Sequence, residues 1–140
     1  MSIESRDLRD LQRKMKAMDA KALKRELNKA LRDEGRPLIA QARDAARDGL
    51  PRRGGLAERI ATRPMTISVT TGRVRIRVKG TDSRATDRGR LRHPVFGNDW
   101  WVTQSIRPGW FTNRMREKAP GVRVGLVSVV DKFSRRVEGA

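Results

Sequence analysis

The 140-residue chain has no cysteine, no tyrosine, one histidine, three tryptophans and three phenylalanines. Without cysteine, disulfides and thiolate metal sites are excluded, and the redox compartment cannot be read. The one histidine, His93, stands beside Pro94 and offers too few ligands for a metal site. It has no nucleophile-elbow sequence that would make it part of a Ser-His-Asp arrangement. His93 therefore reads as a hydrogen-bonding residue at a strand edge. Acids are also scarce: 16 against 33 Lys and Arg, with only six after Glu58. A nuclease would want a cluster of acids for metal ions. The stretch PRRGGLAER (51–59) lacks the Lys-Ser/Thr ending of a phosphate-binding loop. The expectation is a protein that is not an enzyme and uses no cofactor and no metal.

Long hydrophobic runs are missing too. None approaches the roughly 18 residues that a membrane span needs. In MSIESRDLRDL the charges are not followed by an apolar stretch, so it does not read as a signal peptide. No membrane partner is expected. The chain reads as made and used in the cytoplasm, or in a particle assembled there.

What the chain has is positive charge, +17 in formal net terms. Up to Glu58 there are 15 basic and 10 acidic residues; after it there are 18 and 6. Such an excess implies attraction to nucleic acid, anionic membrane or acidic protein surfaces, and says nothing of fold. Leu, Ile, Val and Phe make up about a fifth of the residues, near the level below which highly charged chains tend to be disordered. The core should be thin, and partner subunits should complete it.

Periodicity supplies the elements. Leu8, Leu11, Met15, Met18 and Ala22 make one apolar helical stripe, with Ser5 as a plausible N-cap and Asp7 in the first turn. The stripe shifts to Leu23, Leu27, Ala30 or Leu31, Glu34 and Leu38, then continues through Ala42 and Ala45. A break near Met18–Ala20, with Asp19 recapping, fits that shift. Gly35 and Pro37 imply a kink, and Gly49 and Pro51 end the helical segment. After the PRRGG loop, Met65, Ile67 and Val69 alternate with polar residues, as do Val74, Ile76 and Val78 with arginines, around Thr71-Gly72. That pattern predicts a β-hairpin. Thr81–Arg90 reads as a polar loop, and Leu91–Phe96 as a third strand. A helix should start at Pro108-Gly109 and stop at Pro120-Gly121, followed by a second with Val122, Leu126, Val129 or Val130, Phe133 and Val137. The fold class is α+β: a long N-terminal helix kinked near Gly35-Pro37, a small antiparallel sheet built on the hairpin, and C-terminal helices. A single domain over residues 1–140 would comprise a helical segment (1–49), a sheet region (63–98) and the C-terminal helices (108–138).

Two residue groups are candidate interaction sites. The block Leu91–Phe111, LRHPVFGNDWWVTQSIRPGWF, holds all three tryptophans and two of the three phenylalanines. Large aromatics supply much of the burial energy at cores and interfaces, so Phe96, Trp100, Trp101, Trp110 and Phe111 form the candidate subunit interface. An internal core explains Phe96, Trp110 and Phe111. Adjacent strand residues point to opposite faces, so one of Trp100 and Trp101 should face outward, unless both are buried in an irregular loop. The second group is Arg73, Arg75, Arg77 and Lys79, placed on one strand face at roughly 6.6 Å intervals. This row can neutralise phosphates of DNA, match an acidic neighbour, or keep a sheet face wet. Nothing signals specific base reading.

HPVFGN, then a Trp and WVTQ, then a Pro-Gly-aromatic-Phe turn opening a basic helix, resembles the neck or tail-completion proteins of long-tailed bacteriophages. These are minor tail components of the gp-ten type. The likeness runs from about Ala20 and is most specific between His93 and Phe111. Members share a long N-terminal helix, a loop, a hairpin, a strand ending in Phe-Gly (here Phe96-Gly97) and C-terminal helices after Pro108–Phe111. Where many members have Thr-Gly-x-Leu, this chain has Arg53-Gly54-Gly55-Leu56, and Val95 stands where many have an acid. The resemblance implies a virion protein made in the host cytoplasm, a structural subunit of a neck ring that joins the head-closure proteins to the tail tube and lets DNA pass. Implied partners are copies of itself in a hexameric or dodecameric ring, a head-closure or stopper protein, a tail terminator or tail tube protein, and genomic DNA in nonspecific contact. The alternative is a basic nonspecific nucleic-acid-binding protein acting outside a particle.

Overall fold

A computed structural model describes residues 1–94 and 100–139. The chain is a mixed helix and sheet protein that divides into two compact units, each built from separated segments. The first comprises Met1–Ile39, Thr66–Arg77 and Lys118–Ala140; the second comprises Ala40–Met65 and Val78–Glu117.

In the first unit, strand β1 (Ser2–Glu4) leads into helix α1 (Arg6–Ala17). Ser5 caps that helix as its sequence suggests: its hydroxyl accepts from the Leu8 amide at 3.2 Å, satisfying one orphan donor of the first turn. Leu8, Leu11 and Met15 are buried, whereas Met18 is exposed because the helix has ended. The break falls where the stripe shifts, but Asp19 does not recap the next helix. It takes a left-handed conformation (φ 53°) one residue before Ala20, the actual N-cap of α2 (Lys21–Gly35). A short Asp side chain tolerates that region better than most. Arg36 then separates α2 from α3 (Pro37–Gly49), with Pro37 at the first helical position, where its missing N–H costs least.

The hairpin forms as its alternation predicts, β2 as Met65–Thr70 and β3 as Arg73–Val78, turning at Gly72 with φ 69°. Gln12 of α1 pins this turn: its side chain accepts from the Gly72 amide at 2.7 Å and donates to the Thr70 carbonyl at 3.3 Å. Of the expected strand Leu91–Phe96, the described residues Leu91–Pro94 are extended but pair elsewhere, so they are not the third strand of this sheet. That third strand is β1, in the order β1-β3-β2, with Ile3 opposite Val74 and Glu4 opposite Arg73. Three residues are too few for periodicity to mark. Val74 and Ile76 are buried, while Ile67 and Val69 on the outer strand are half-buried.

The C-terminal segment is one helix, α6 (Thr112–Glu138), with Pro120 inside it, not two helices divided at Pro120-Gly121. Proline costs a helix about 3 kcal/mol, yet Met115 and Ala119 before it and Leu126, Val130, Phe133 and Val137 after it are all buried. Packing on both sides holds the helix together. In the first unit, Glu26 and Arg136 add a 2.8 Å ion pair.

The second unit packs small residues around one large ring. Ala45, Ala46, Leu50, Leu56, Ala57, Ile60 and Ala61 gather with Trp110, and Val78, Leu91, Ile106 and Phe111 pack against that cluster. Leu56–Ala61 is a short helix, α4, after a 3-10 turn at Arg53–Gly55. Arg43 closes its end by donating to the Ala61 and Arg63 carbonyls. Thr81–Asp87 is a helix, α5, rather than a polar loop. Its hydroxyls explain how a polar segment stays helical: Ser83 donates to Lys79 and Thr86 to Asp82, both at backbone carbonyls, so Ser83 and Thr86 are buried with partners. Strand β4 (Arg90–Pro94) pairs antiparallel with β5 (Trp101–Ser105) in a separate two-stranded ribbon.

Ile76 tests the buried face of the hairpin. Ile76→Asp places an unpaired charge in that core and should cost several kcal/mol, on the order of 3 to 5. Urea unfolding checks it, and a midpoint like that of the parent would refute the assignment.

Candidate functional site

Sequence gathers the aromatics into one block, but the structure gives them different jobs. Trp110 is a core residue, 6% exposed, and its indole N–H donates to the Thr86 hydroxyl at 3.1 Å. Gly49 lets it approach: a Cβ there would stand 3.0 Å from Trp110 Cβ. Phe111 is half-buried beside it, with ring centroids 5.5 Å apart. Asp87 holds the turn by accepting from the Phe111 and Thr112 amides, each at 2.9 Å, and from the Thr112 hydroxyl. A carboxylate at that point satisfies the open amides of α6 and suits its dipole. Trp110 is thus internal to the second unit, with Phe111 half-buried against it. Phe96 lies outside the described residues.

Trp100 and Trp101 are both outward, at 71% and 56% exposure. Every residue of β5 is exposed. The ribbon register pairs Arg90 with Ser105, Arg92 with Thr103 and Pro94 with Trp101, and on the opposite face Leu91 with Gln104 and His93 with Val102. Leu91 packs on the core cluster, so the face bearing Arg90, Arg92 and Trp101 is turned outward. There the Arg92 guanidinium carbon lies 5.3 Å from the Trp101 ring centroid, within cation–π range. At the ribbon's base, the Ile106 amide donates to the Gly89 carbonyl at 2.9 Å. Gly89 has φ 88°, and a Cβ there would meet the Ile106 carbonyl oxygen, so only glycine closes this end without strain.

The basic row is only partly a row. Arg73 is engaged by Glu4 of β1 at 2.7 Å. Arg75 is half-buried and Arg77 exposed. Lys79 lies beyond the end of β3 and falls in the other compact unit. Sequence reasoning missed Arg90 and Arg92, which share the ribbon's outward face with Trp101. Their signal was the alternation Arg90-Leu91-Arg92-His93, readable as a face only once Trp101–Ser105 is known as the partner strand.

Among the described residues, no group of three or more His, Asp or Glu side chains could hold a metal ion, and no helix is long and apolar enough to cross a membrane. No protein-family model matches the chain, nor does any curated protein or solved structure.

Two expectations follow from this site's supports. Thr86→Val would leave the Trp110 indole N–H buried without an acceptor, at a cost of about 1 to 3 kcal/mol. Denaturant unfolding followed by tryptophan emission measures it. The second concerns Asp82. The hydrogen bond from Arg63, with its charge, holds the Asp82 carboxyl below its ordinary value near 3.8. A depressed folded pKa gives stability that is present above the ordinary value and lost as pH falls through the lowered one. Solvent screening keeps this to no more than about 1 kcal/mol at neutral pH. Asp82→Asn should therefore unfold more easily than the parent at pH 7, and the difference should shrink as pH falls below the ordinary carboxylate range and through the lowered value.

Proposed function

We propose that the chain is a structural subunit of a bacteriophage neck. Copies form a closed ring, hexameric or dodecameric, between the head-closure or stopper protein and the tail terminator or tail tube, and genomic DNA passes through it. The order of motifs from His93 to Phe111 motivates this reading. The observation that carries it is exposed apolar surface in each unit: Trp100 at 71% in the second, and Val124 and Val127 at 71% and 49% on α6 in the first. Val127 is part of a groove whose apolar lining also includes Leu8, Leu31, Val74, Leu126 and Val130, with Glu4 and Arg123 at its polar positions. Two unlike surfaces on one chain suit heterologous contacts, which close into rings when the rotation permits. Among the remaining cations, Arg75 and Arg77 meet an acidic neighbour in this reading, because a channel lined with bound cations would hold the genome back.

Native mass spectrometry of the purified chain, and cryo-microscopy of particles, should show a closed ring. Val124→Asp/Val127→Asp should abolish the ring and leave the melting temperature within a few degrees of the parent. Arg75→Glu/Arg77→Glu, supplied to a host infected by phage lacking this gene, should leave heads and tails separate. Monomers alone, in solution and in the particle, would refute the ring. Complete particles that fail only at DNA delivery would instead place these arginines on DNA.

The reading as a basic nucleic-acid-binding protein outside a particle is favoured by one observation, the cationic and aromatic outward face of the β4–β5 ribbon.

A further inference from the structure

That ribbon face has a composition that few partners match. Arg90, Arg92 and Trp101 project from it together with the Thr103 and Ser105 hydroxyls. Arg88 and Arg107 flank it, both exposed, and segments 88–94 and 100–107 contain no Asp or Glu. Among the described residues, none of these four arginines forms an ion pair. Elsewhere, some exposed arginines find acids, as Arg47 does with Glu58 and Arg136 with Glu26, while others, such as Arg77, form no ion pair among the described residues. What sets the ribbon apart is the exposed indole among its arginines. An apolar partner surface would have to strip water from unpaired guanidinium groups, at a cost its packing on one indole could not offset. A second copy carries the same +17 charge and would present no acid from the two paired strands of its own ribbon. A polyanion that also carries flat rings satisfies both components, because phosphates take guanidinium groups and bases take the indole.

Strandedness follows from Trp101. Arg92 covers one face of its ring, while more than half of the residue's surface stays open. A duplex offers phosphates to the arginines but keeps its bases stacked on one another. An unpaired strand offers both. We propose that the outward face of the β4–β5 ribbon binds single-stranded nucleic acid, with Arg90 and Arg92 on phosphates and Trp101 stacked against a base. The contact tolerates any sequence, since every base has a π-face and no base edge is read. It does not rest on the ring reading, and it places nucleic-acid contact on the ribbon rather than on the Arg73–Lys79 row.

The test is titration of the purified full chain with an oligothymidylate of about 16 nucleotides, the upper range for one small binding module, read by tryptophan emission and anisotropy. Emission should fall on binding, from exposed Trp100 and Trp101, while buried Trp110 and the helical circular dichroism report an intact fold. Trp101→Ala should weaken binding about ten-fold or more, and Trp101→Phe should restore part of it. Arg90→Gln/Arg92→Gln should reduce the slope of log K against log salt by about 1.4, or about 0.7 for each phosphate no longer neutralised. Arg75→Gln/Arg77→Gln should leave both affinity and slope near those of the parent. The proposal is overturned by absence of binding, by undiminished affinity in Trp101→Ala, or by a duplex bound as tightly as the single strand. Poly-glutamate that displaces the oligonucleotide at equal charge would also overturn it, by pointing to an acidic protein surface. Ring assembly is scored on the same variants by native mass spectrometry. Ribbon variants that lose the oligonucleotide but keep the ring, or the reverse, separate the failure of one reading from that of the other.

Discussion

The second unit depends on the burial of Trp110. Its neighbours are mostly alanines and leucines on α3 and α4, side chains that supply little area each, so one indole provides the volume they close around. Burying it requires a partner for its N–H, and Thr86 of α5 is that partner. Thr86 can serve only because α5 is helical and its hydroxyl is also satisfied by the Asp82 and Ser83 carbonyls. The chain leaving α5 supplies Asp87 to cap α6, and Gly89 to start the ribbon. One indole thus fixes the register of a helix, the start of another and the root of an exposed strand pair.

Charge shapes the same unit from outside. Much of the excess cation is left on surface arginines, and the structure pairs some of those near helix ends. Arg63 binds Asp82 in the first turn of α5, Arg47 binds Glu58 in the first turn of α4, and Arg114 binds Asp48 at 2.9 Å. Arg47 lowers the Glu58 carboxyl below its usual range by hydrogen bond and charge, but this pair is open to water and adds little to stability. Among the described residues the strands of the ribbon have no such pairing, and their arginines stand beside the exposed rings of Trp100 and Trp101.

Elements with a strong period were legible in the sequence. The stripe of α1, the hairpin and the 126-130-133-137 pattern of α6 all stand where spacing puts them. Elements held by particular polar contacts were not legible. TDSRATD reads as a loop because Ser, Thr and Asp prefer caps and turns, and only their bonds to backbone carbonyls make it helical. β1 is three residues long and is recruited by β3, a long-range pairing that no local window reports. Of the candidate interface, the adjacency of two tryptophans argued that one of Trp100 and Trp101 faces outward, yet both do, because β5 has no buried side. Arg90 and Arg92 were not legible as a site because a face is a property of two strands, and a strand with no buried side has no apolar alternation to mark it.

The interleaving of the two units along the chain has a consequence for biosynthesis. Leu8 and Leu31 share their groove with Val74 and with Leu126 and Val130, so their surroundings are not complete until the segment from Lys118 on has left the ribosome. The second unit ends at Glu117 and has all of its segments earlier. Translation therefore presents a finished second unit attached to an unfinished first one, whose closure waits on contacts separated by about a hundred residues. Such long-range closure is slow and leaves hydrophobic surface open to wrong partners meanwhile. In this chain the early helices carry many charged residues between their leucines, and mutual repulsion among nascent copies is a solubility safeguard while the last helix is still to come.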